Sequence, residues 1–290
     1  MDYKDIELGS TEDFFWFKAK KDLIDILLER VRIARKSYSV TINDDTCIPL
    51  QPGNIPNDRE KPIAFPYKRA IGNKVKILNI GCGIGKELEV IKKFGDVYLI
   101  DIEPQVIASI PDDLCVEKKV YDVCDGIPYP DNYFDIVVAF DLFEHLQDDI
   151  FVIGEINRIL SPHGFLVFTV PAFQFLFSSH DKTLHHYRRY NMRLLKNRFQ
   201  KFKSIETGFW ACSLLLPVAL EKLMIPNESN PAFHFKISNR FFNNLFYKIM
   251  KCENRLIRYK VPLPFGTTIF GIYQNIKDIN SFLPMQVLKG

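Results

Sequence analysis

Short apolar runs rich in β-branched residues alternate with helical stretches through the middle of the chain. The runs lie at 75–80, 97–100, 115–120, 134–140 and 165–170. The helix candidates lie at 86–94, 104–110 and 146–160. Strands joined by crossover helices pair in parallel and are covered on both faces, so each run is apolar throughout. The pattern therefore predicts an α/β fold of the Rossmann-like, doubly wound type.

The proportions of apolar and charged residues suit one large folded domain. Of the 290 residues, 47% are hydrophobic and 25% are charged, which excludes disordered and collagen-like chains. None of the six cysteines forms a C-x-x-C pair, and no histidines cluster at the spacing of metal ligands. We therefore predict no metal site, no disulfide framework, and reduced thiols in a cytoplasmic location.

The parts that flank the predicted sheet differ in pattern. Apolar residues recur at helical spacing over 11–36, whereas 39–70 contains five prolines and no sustained period. The start of the chain lacks the apolar core of a secretory signal, and no apolar stretch reaches the roughly twenty residues that span a bilayer. We predict four parts. They are an N-terminal helix (1–38), a proline-rich loop or lid (39–70), a ligand-binding core (71–207) and substrate-side helices with a closing strand (208–290).

A glycine-rich segment follows the first predicted strand directly. Gly81, Gly83 and Gly85 precede a helix candidate, where glycine permits a tight turn and free N–H groups attract a ligand. The dinucleotide fingerprint would need a small residue in place of Lys86, and the phosphate-binding loop would need a hydroxyl in place of Glu87. The segment thus indicates a ligand crevice without either phosphate motif, and a purely structural turn is the alternative.

Acidic residues follow the next two predicted strands. A carboxylate at Asp101 can accept both hydroxyl groups of a ribose, although it could also cap the helix that starts near Pro104. Asp122 follows the third run in the same way and could hold an exocyclic amine of adenine, with the N–H of Val123 beside it. Because the carboxyl ends of parallel strands share one edge, we expect these side chains and the glycine segment to line a single crevice.

Residues 75–171 resemble the class I S-adenosylmethionine-dependent methyltransferases. The resemblance rests on the glycine segment, the two acidic residues after strands, and the stretches 127–135, 140–146 and 160–164. It implies a seven-stranded, mostly parallel sheet whose last strand, 267–273, is antiparallel. It also implies a helical N-terminal extension, a C-terminal cap over the acceptor pocket, and a core at 71–207 that binds S-adenosylmethionine.

The resemblance further implies which residues contact the cofactor. The glycine segment would line the methionine end, Asp101 would bind the ribose, and Phe140 would border the cofactor. The family usually has an acidic residue at the position of Asn79, which can hydrogen-bond but cannot offset the ammonium charge. The predicted cofactor-binding residues are Asn79, Gly81, Cys82, Gly83, Gly85, Asp101, Ile102, Asp122, Val123 and Phe140.

The segment after the fifth predicted strand is dense in side chains that suit substrate binding. Residues 178–190 hold three histidines, one acid and two arginines, and they resemble a subgroup of these methyltransferases with an Asp, a His and an Arg-Arg-Tyr run. For a hydroxyl acceptor the enzyme must align the group and remove its proton. The predicted catalytic residues are His186, His145 and Asp181. The predicted substrate-binding residues are Arg188, Arg189, Tyr190 and His185.

Two structural alternatives apply to these residues. The arginines could form a solvated basic face that caps the next helix. A histidine at position 145 could bond only the backbone at a helix start, although histidine is also the side chain that titrates in the useful pH range. The sequence does not separate these interpretations from the catalytic one.

Positive charge is concentrated in two segments near the end of the chain. Residues 182–203 carry eight basic side chains and no acid, and residues 236–260 carry seven with one acid, so the rest of the chain is acidic although the formal net charge is +3. The distribution indicates an anionic acceptor or an anionic surface. A basic amphipathic helix, predicted at about 237–259, would suit peripheral contact with a membrane.

The sequence as a whole predicts methyl transfer from S-adenosylmethionine to a small-molecule or lipid- or glycan-linked acceptor, at oxygen. An RNA methyltransferase is one alternative, because RNA-binding grooves are also basic. We expect no nucleic-acid partner, since no RNA-binding appendage or catalytic motif of that class is present. A non-catalytic partner subunit with the methyltransferase fold is the other alternative.

Overall fold

A seven-stranded sheet organises the part of the chain that the computed structural model describes, which is residues 14–40, 74–224 and 240–277. The strands are β1 (Lys76–Ile80), β2 (Asp96–Asp101), β3 (Glu117–Val120), β4 (Phe134–Phe140), β5 (Leu160–Pro171), β6 (Phe202–Trp210) and β7 (Thr268–Asn275). Their order across the sheet is β3-β2-β1-β4-β5-β7-β6.

The strand directions confirm the predicted fold class. The first five strands pair in parallel, and β7 runs antiparallel between β5 and β6. β5 begins at Leu160, earlier than predicted, because Leu160 already pairs with Phe134 of β4. The chain order reverses at β1 and β4, and ligands of such sheets bind at the carboxyl ends of the strands beside this reversal.

Helices cover both faces of the sheet. They are α1 (Phe15–Val40), α2 (Leu88–Ile91), α3 (Pro104–Ser109), α4 (Asp149–Ile159), α5 (Ser179–Thr183), α6 (Met192–Arg198), α7 (Leu215–Met224) and α8 (Arg240–Arg258). All seven residues of β4 are buried, because this central strand contacts a hydrophobic core on each face. The continuous apolar runs of the sequence therefore reflect burial from both sides.

Two long helices, α1 and α8, pack together over one face of the sheet. The amide of Asn254 donates to the Ala19 carbonyl of α1 at 2.8 Å, and its oxygen accepts from Trp210 Nε1 at 2.8 Å. Arg30 of α1 also donates to the Ile257 carbonyl of α8. These buried polar contacts fix α8 against both α1 and the end of β6.

The outward side of α8 carries an apolar stripe. The stripe consists of Phe242, Leu245, Ile249 and Leu256, which are 49%, 40%, 37% and 42% exposed. The exposed basic residues beside it are Lys248, Lys251, Arg255 and Arg258. The inward side buries Met250 and Ile257 together with the polar Glu253 and Asn254. The helix is therefore amphipathic in an unusual sense, because part of its apolar surface faces solvent.

Some sequence predictions fall on residues outside the described part. The start of the predicted helix at 11–13 and nearly all of the proline-rich segment at 39–70 lie there, except that residues 39 and 40 continue α1. The boundaries of the four predicted parts stay predictions. Among the described residues, no helix is both long and apolar enough to cross a bilayer.

The end of β7 offers a test of the fold. The Asn275 amide is fully buried and donates to the carbonyls of Leu160 at 3.0 Å and of Ser161 at 3.2 Å, while its oxygen accepts from Asn157 Nδ2 at 3.0 Å. We expect Asn275→Ala to lower the free energy of unfolding by about 2–4 kcal/mol, because buried polar groups lose their partners. Urea unfolding measures the change.

The matched control for this variant is Asn197→Ala, at an exposed position of α6. We expect its free energy of unfolding to stay within about 0.5 kcal/mol of the original. Equal losses for the two variants would contradict the role assigned to Asn275.

Candidate active site

The glycine segment turns sharply between β1 and α2. Gly81, Gly83 and Gly85 have φ angles of +67°, +49° and +75°, a range that residues other than glycine rarely adopt. A Cβ atom at Gly81 would lie 2.9 Å from Cδ1 of Leu142, so the segment after β4 packs closely against this turn. A Cβ atom at Gly83 would meet nothing within 4 Å, so open space adjoins the main chain there.

The carboxylate of Asp101 joins the end of β2 to the glycine segment. Its Oδ2 atom accepts from the N–H of Gly83 at 2.8 Å, and its Oδ1 atom accepts from the N–H of Glu103 at 3.0 Å. The N-cap of α3 is Glu103, and no side chain accepts a capping bond there, so the helix-capping alternative for Asp101 is not what the structure shows. Each carboxylate oxygen has a further lone pair for a ligand.

The other predicted cofactor residues surround this turn to different degrees. Asp122 Oδ1 accepts from the N–H of Cys124 at 2.9 Å, so it caps a single helical turn. Asn79, Cys82, Val123 and Phe140 are buried, whereas Ile102 is 57% exposed. Burial raises the pKa of the Cys82 thiol well above its ordinary value. The structure thus brings these residues to one edge of the sheet, and contact with the cofactor stays a prediction for each.

A lysine of α1 lies at the same edge of the sheet. Lys20 Nζ lies 2.9 Å from Asp141 Oδ2 and 3.5 Å from Glu87 Oε1, and Asp141 Oδ1 accepts from Thr169 Oγ1 at 2.8 Å. Burial alone would raise the pKa of Asp141, but the charge of Lys20 and its hydrogen bond hold that pKa well below its ordinary value. Asp141 also has a φ angle of +52°, a conformation that costs free energy for a residue other than glycine.

Sequence reasoning missed this ion pair, although the helix carried a signal for it. Lys20 lies on the buried side of α1, between Phe17 and Leu23, where an apolar residue would be expected. A cation on such a face requires a buried anion. The sequence shows that requirement but not which carboxylate meets it.

The carboxylate of Asp181 organises the segment after β5. It is fully buried and binds Arg189 with both oxygens, at 2.9 Å to Nε and 3.0 Å to Nη2. Its Oδ1 atom also lies 2.9 Å from Nδ1 of His186, and its Oδ2 atom accepts from the N–H of Ser178. Burial would raise the pKa of Asp181, but the bonds from His186 and Arg189 hold it well below its ordinary value. The imidazole of His186 is therefore fixed through Nδ1.

Three of the predicted substrate-binding residues contact internal carboxylates. Tyr190 is fully buried, and its hydroxyl donates to Asp149 Oδ2 at 2.7 Å. Arg188 Nη1 lies 2.9 Å from Asp149 Oδ1, and Arg189 is held by Asp181 as described above. Internal carboxylates thus hold these three side chains in place, and their contact with a substrate stays a prediction. His185 is exposed, with a φ angle of +58°.

The two predicted catalytic histidines meet beside a buried acid. The rings of His145 and His186 are edge to face, with centroids 4.5 Å apart. One side-chain oxygen of Glu144 and one ring nitrogen from each histidine all lie within 4.8 Å of one another. Burial raises the pKa of Glu144 well above its ordinary value. We refer to Glu144, His145 and His186 as the Glu–His–His cluster.

Sequence reasoning gave no role to Glu144 and expected no metal-ligand set. The spacing rules for such sets apply to residues close together in the chain. Here the N–H of Tyr187 donates to the Glu144 carbonyl at 2.8 Å, which brings the segment after β5 beside the segment after β4. Such a contact has no signature in a single sequence.

Comparison with known proteins places the centre of the chain in a family. Residues 78–168 match a family model described as a methyltransferase domain. Ajmaline N-methyltransferase from Rauvolfia serpentina is 40% identical over 93 residues, 29% of this chain and 31% of that protein. Glycine/sarcosine/dimethylglycine N-methyltransferase from Actinopolyspora halophila is 25% identical over 178 residues, 53% of this chain and 31% of that protein. A solved SAM-dependent methyltransferase from Archaeoglobus fulgidus is 18% identical, with a TM-score of 0.43 and coverage of 70% of this chain and 86% of that one.

The central part of the chain is a methyltransferase domain of the class I, S-adenosylmethionine-dependent type. The resemblance inferred from the sequence is confirmed at that level. The chain spans about a third of the length of the two curated relatives named above. The subgroup with the Asp, His and Arg-Arg-Tyr run stays a prediction.

The ion pair of Lys20 generates a prediction about stability. We expect Lys20→Met to lower the free energy of unfolding by about 3–5 kcal/mol, because it leaves the buried Asp141 without its cation. Adding Asp141→Asn should recover part of the loss, since asparagine tolerates a positive φ and carries no charge. Urea unfolding of the single and double variants measures both effects.

The control is Lys21→Met, which removes the same charge at the neighbouring, half-buried position. Its free energy of unfolding should change less than that of Lys20→Met.

The ion pair also sets the sign of the pH dependence of stability, because Asp141 has a depressed pKa in the folded protein. Its contribution is present above its ordinary pKa of 3.8 and is lost as the pH falls below that value. If the loss in free energy of unfolding caused by Lys20→Met stayed constant between pH 7 and pH 3, the ion pair with Asp141 would not be its cause.

Proposed function

We propose that the chain transfers a methyl group from S-adenosylmethionine to a hydroxyl group of a small-molecule or lipid- or glycan-linked acceptor. The observation that carries the proposal is the contact between two neighbouring loops at one edge of the sheet. Leu142 packs against Gly81 of the glycine segment. His145, three residues further on, lies against His186. A cofactor crevice and a pair of histidines thus adjoin each other.

The chemistry of the crevice fits this cofactor. The main chain at Gly83 borders open space, and the carboxylate of Asp101 lies against its N–H. A carboxylate with free lone pairs suits the two hydroxyl groups of a ribose. Asp122 and Val123 are proposed to address adenine, and Asn79, Gly81, Cys82, Gly85, Ile102 and Phe140 complete the proposed set.

The residues of the Glu–His–His cluster would act on the acceptor. When bound, S-adenosylmethionine supplies a methyl group that passes from its sulfur to the acceptor oxygen while the hydroxyl proton leaves. The protein must align the acceptor and draw off that proton. We assign the second task to His186 and His145. Asp181 is a positioning residue, because it holds Nδ1 of His186 and directs Nε2 away from itself.

The cluster, and not the relatives, is what supports oxygen as the proposed acceptor atom. Both curated relatives named above are N-methyltransferases. A paired set of histidines beside a carboxylate suits a hydroxyl, which must lose its proton during transfer. An RNA acceptor is not favoured, because the arginines of the segment after β5 bind internal carboxylates instead of facing outward to phosphates. His185 stays a candidate for substrate contact.

Asp101 generates the test of the cofactor crevice. We expect Asp101→Ala to weaken S-adenosylmethionine binding by about ten- to a hundred-fold, because hydrogen bonds to a charged group are lost. Calorimetry measures the dissociation constant. Asp101→Asn, which keeps one acceptor for the N–H of Gly83, should lose less.

The control is Asp113→Ala, which removes an exposed carboxylate after α3. The dissociation constant of this variant for S-adenosylmethionine should equal that of the original protein. Binding that survives Asp101→Ala within a few-fold would place the cofactor elsewhere. A protein without any affinity for S-adenosylmethionine would support the non-catalytic alternative.

We further propose that the apolar stripe of α8 contacts an anionic membrane surface, which would suit a lipid-linked acceptor. The stripe residues are exposed, and lysines and arginines flank them along the helix. Apolar residues in the headgroup region and basic residues above it are the arrangement of interfacial helices. The basic flanks favour anionic lipid over a neutral apolar partner.

Vesicle binding tests this contact. We expect the protein to sediment with vesicles of equimolar phosphatidylcholine and phosphatidylserine at low salt, and less with phosphatidylcholine alone. Lys248→Glu with Arg255→Glu should abolish sedimentation, because two attractive charges become repulsive. Lys196→Glu with Lys203→Glu makes the same charge change at other exposed positions and should have little effect. If both double variants lost sedimentation equally, net charge alone would explain vesicle binding, and the role of α8 would be overturned.

A further inference from the structure

The Glu–His–His cluster contains an unsatisfied buried oxygen. Glu144 is 1% exposed, and its Oε2 atom has no hydrogen-bond partner within the described part of the chain. A buried carboxylate oxygen without a donor or a cation is costly. Two imidazole rings lie beside it, at ligand-atom separations within 4.8 Å. An ion at the centre of the cluster would satisfy this oxygen.

The orientation of His186 is that of a metal ligand. Metal-binding histidines usually bond a carboxylate or carbonyl through the ring nitrogen that does not bind the metal, which fixes the tautomer. Here Nδ1 of His186 bonds the fully buried carboxylate of Asp181, and Arg189 holds that carboxylate with two bonds. The Nε2 atom is therefore left to bind the ion.

The segment that carries His186 is also fixed in place. The N–H of His186 donates to the Asp181 carbonyl at 2.8 Å, and the N–H of Tyr187 donates to the Glu144 carbonyl at 2.8 Å. These bonds hold the three ligand residues together through the main chain. Preorganisation of this kind is what a tight metal site requires.

Within the described part of the chain, Glu144 is a buried carboxyl group without an ion pair, whereas its two neighbouring acids each have one. Lys20 neutralises Asp141, and Arg189 neutralises Asp181. Two imidazoles and one carboxylate form a mixed nitrogen and oxygen donor set, which suits divalent first-row transition metals. Three protein ligands leave coordination positions open for an acceptor.

We propose that Glu144, His145 and His186 bind one divalent transition-metal ion, which also coordinates the acceptor hydroxyl. This inference rests on the proposed function and names the means by which the cluster draws off the proton. Such an ion would lower the pKa of the acceptor hydroxyl, whose proton would pass to solvent water, so the two histidines would act as ligands in place of direct bases. Acceptors with two adjacent hydroxyl groups would bind best, because both oxygens could coordinate.

Metal binding can be tested without the cofactor or an acceptor. The probe is Mn²⁺, because the protein has exposed cysteines that would compete for softer ions such as Zn²⁺. Free Mn²⁺ is counted by electron paramagnetic resonance as the ion is titrated into the full chain. We expect saturable binding of one ion per chain and a rise in the melting temperature with Mn²⁺.

Three variants remove one ligand each, namely Glu144→Gln, His145→Asn and His186→Asn. We expect each to weaken Mn²⁺ binding by about ten-fold or more and to lose the rise in melting temperature. Glu144→Gln is nearly isosteric and removes a buried charge, so it reports on binding even where a histidine variant folds poorly. His163→Asn is the control at an exposed histidine, whose φ of +60° asparagine tolerates, and it should bind as the original protein does.

The outcomes separate this inference from the proposed function. Absence of Mn²⁺ binding, or equal binding in Glu144→Gln and His163→Asn, would overturn the metal site. If S-adenosylmethionine binding and methyl transfer then persisted in the presence of a chelator, the proposed function would stand with the histidines acting directly. Mn²⁺ binding that depends on the cluster, in a protein with no affinity for S-adenosylmethionine, would instead retain the site and remove the proposed function.

Discussion

Buried carboxylates at the carboxyl edge of the sheet are the constraint on which the candidate site depends. A carboxylate stays ionised in the interior only where a cation or several donors compensate for the lost water. Lys20 of the N-terminal helix compensates Asp141, and Arg189 compensates Asp181. The first pair holds α1 over the glycine segment, and the second holds His186 against His145. Charge neutralisation thus fixes both the proposed cofactor side and the proposed acceptor side of the site.

The fold was largely predictable because its central strands are buried on both faces. Residues such as those of β4 are apolar without interruption, and the helical segments between such runs require crossovers and hence parallel pairing. The antiparallel β7 was expected only from the resemblance, since the sequence of a strand does not show which strands it pairs with. The exposure of the α8 stripe could not be predicted from the sequence either, because periodicity shows that a helix has an apolar side but not what covers that side.

The arrangement of residues on the proposed cofactor side was more predictable than that on the proposed acceptor side, for a physical reason. The glycine segment and Asp101 follow their strands directly, and parallel strands bring their ends together. The acceptor side is built from contacts between distant segments, such as Lys20 with Asp141 and His145 with His186. The ion pairs of Arg188 and Arg189 could not be predicted for the same reason. The sequence shows a basic run, but it does not show the internal carboxylates that neutralise it.

The central claim is that the glycine segment and the Glu–His–His cluster serve one reaction across a shared crevice. A crystal structure of the chain with S-adenosylhomocysteine tests it most directly. We predict that the ribose of the ligand contacts Asp101, that its main body lies along Gly83, and that its sulfur faces the space in front of His145 and His186. A ligand bound elsewhere, or a sulfur atom turned away from both histidines, would contradict this account.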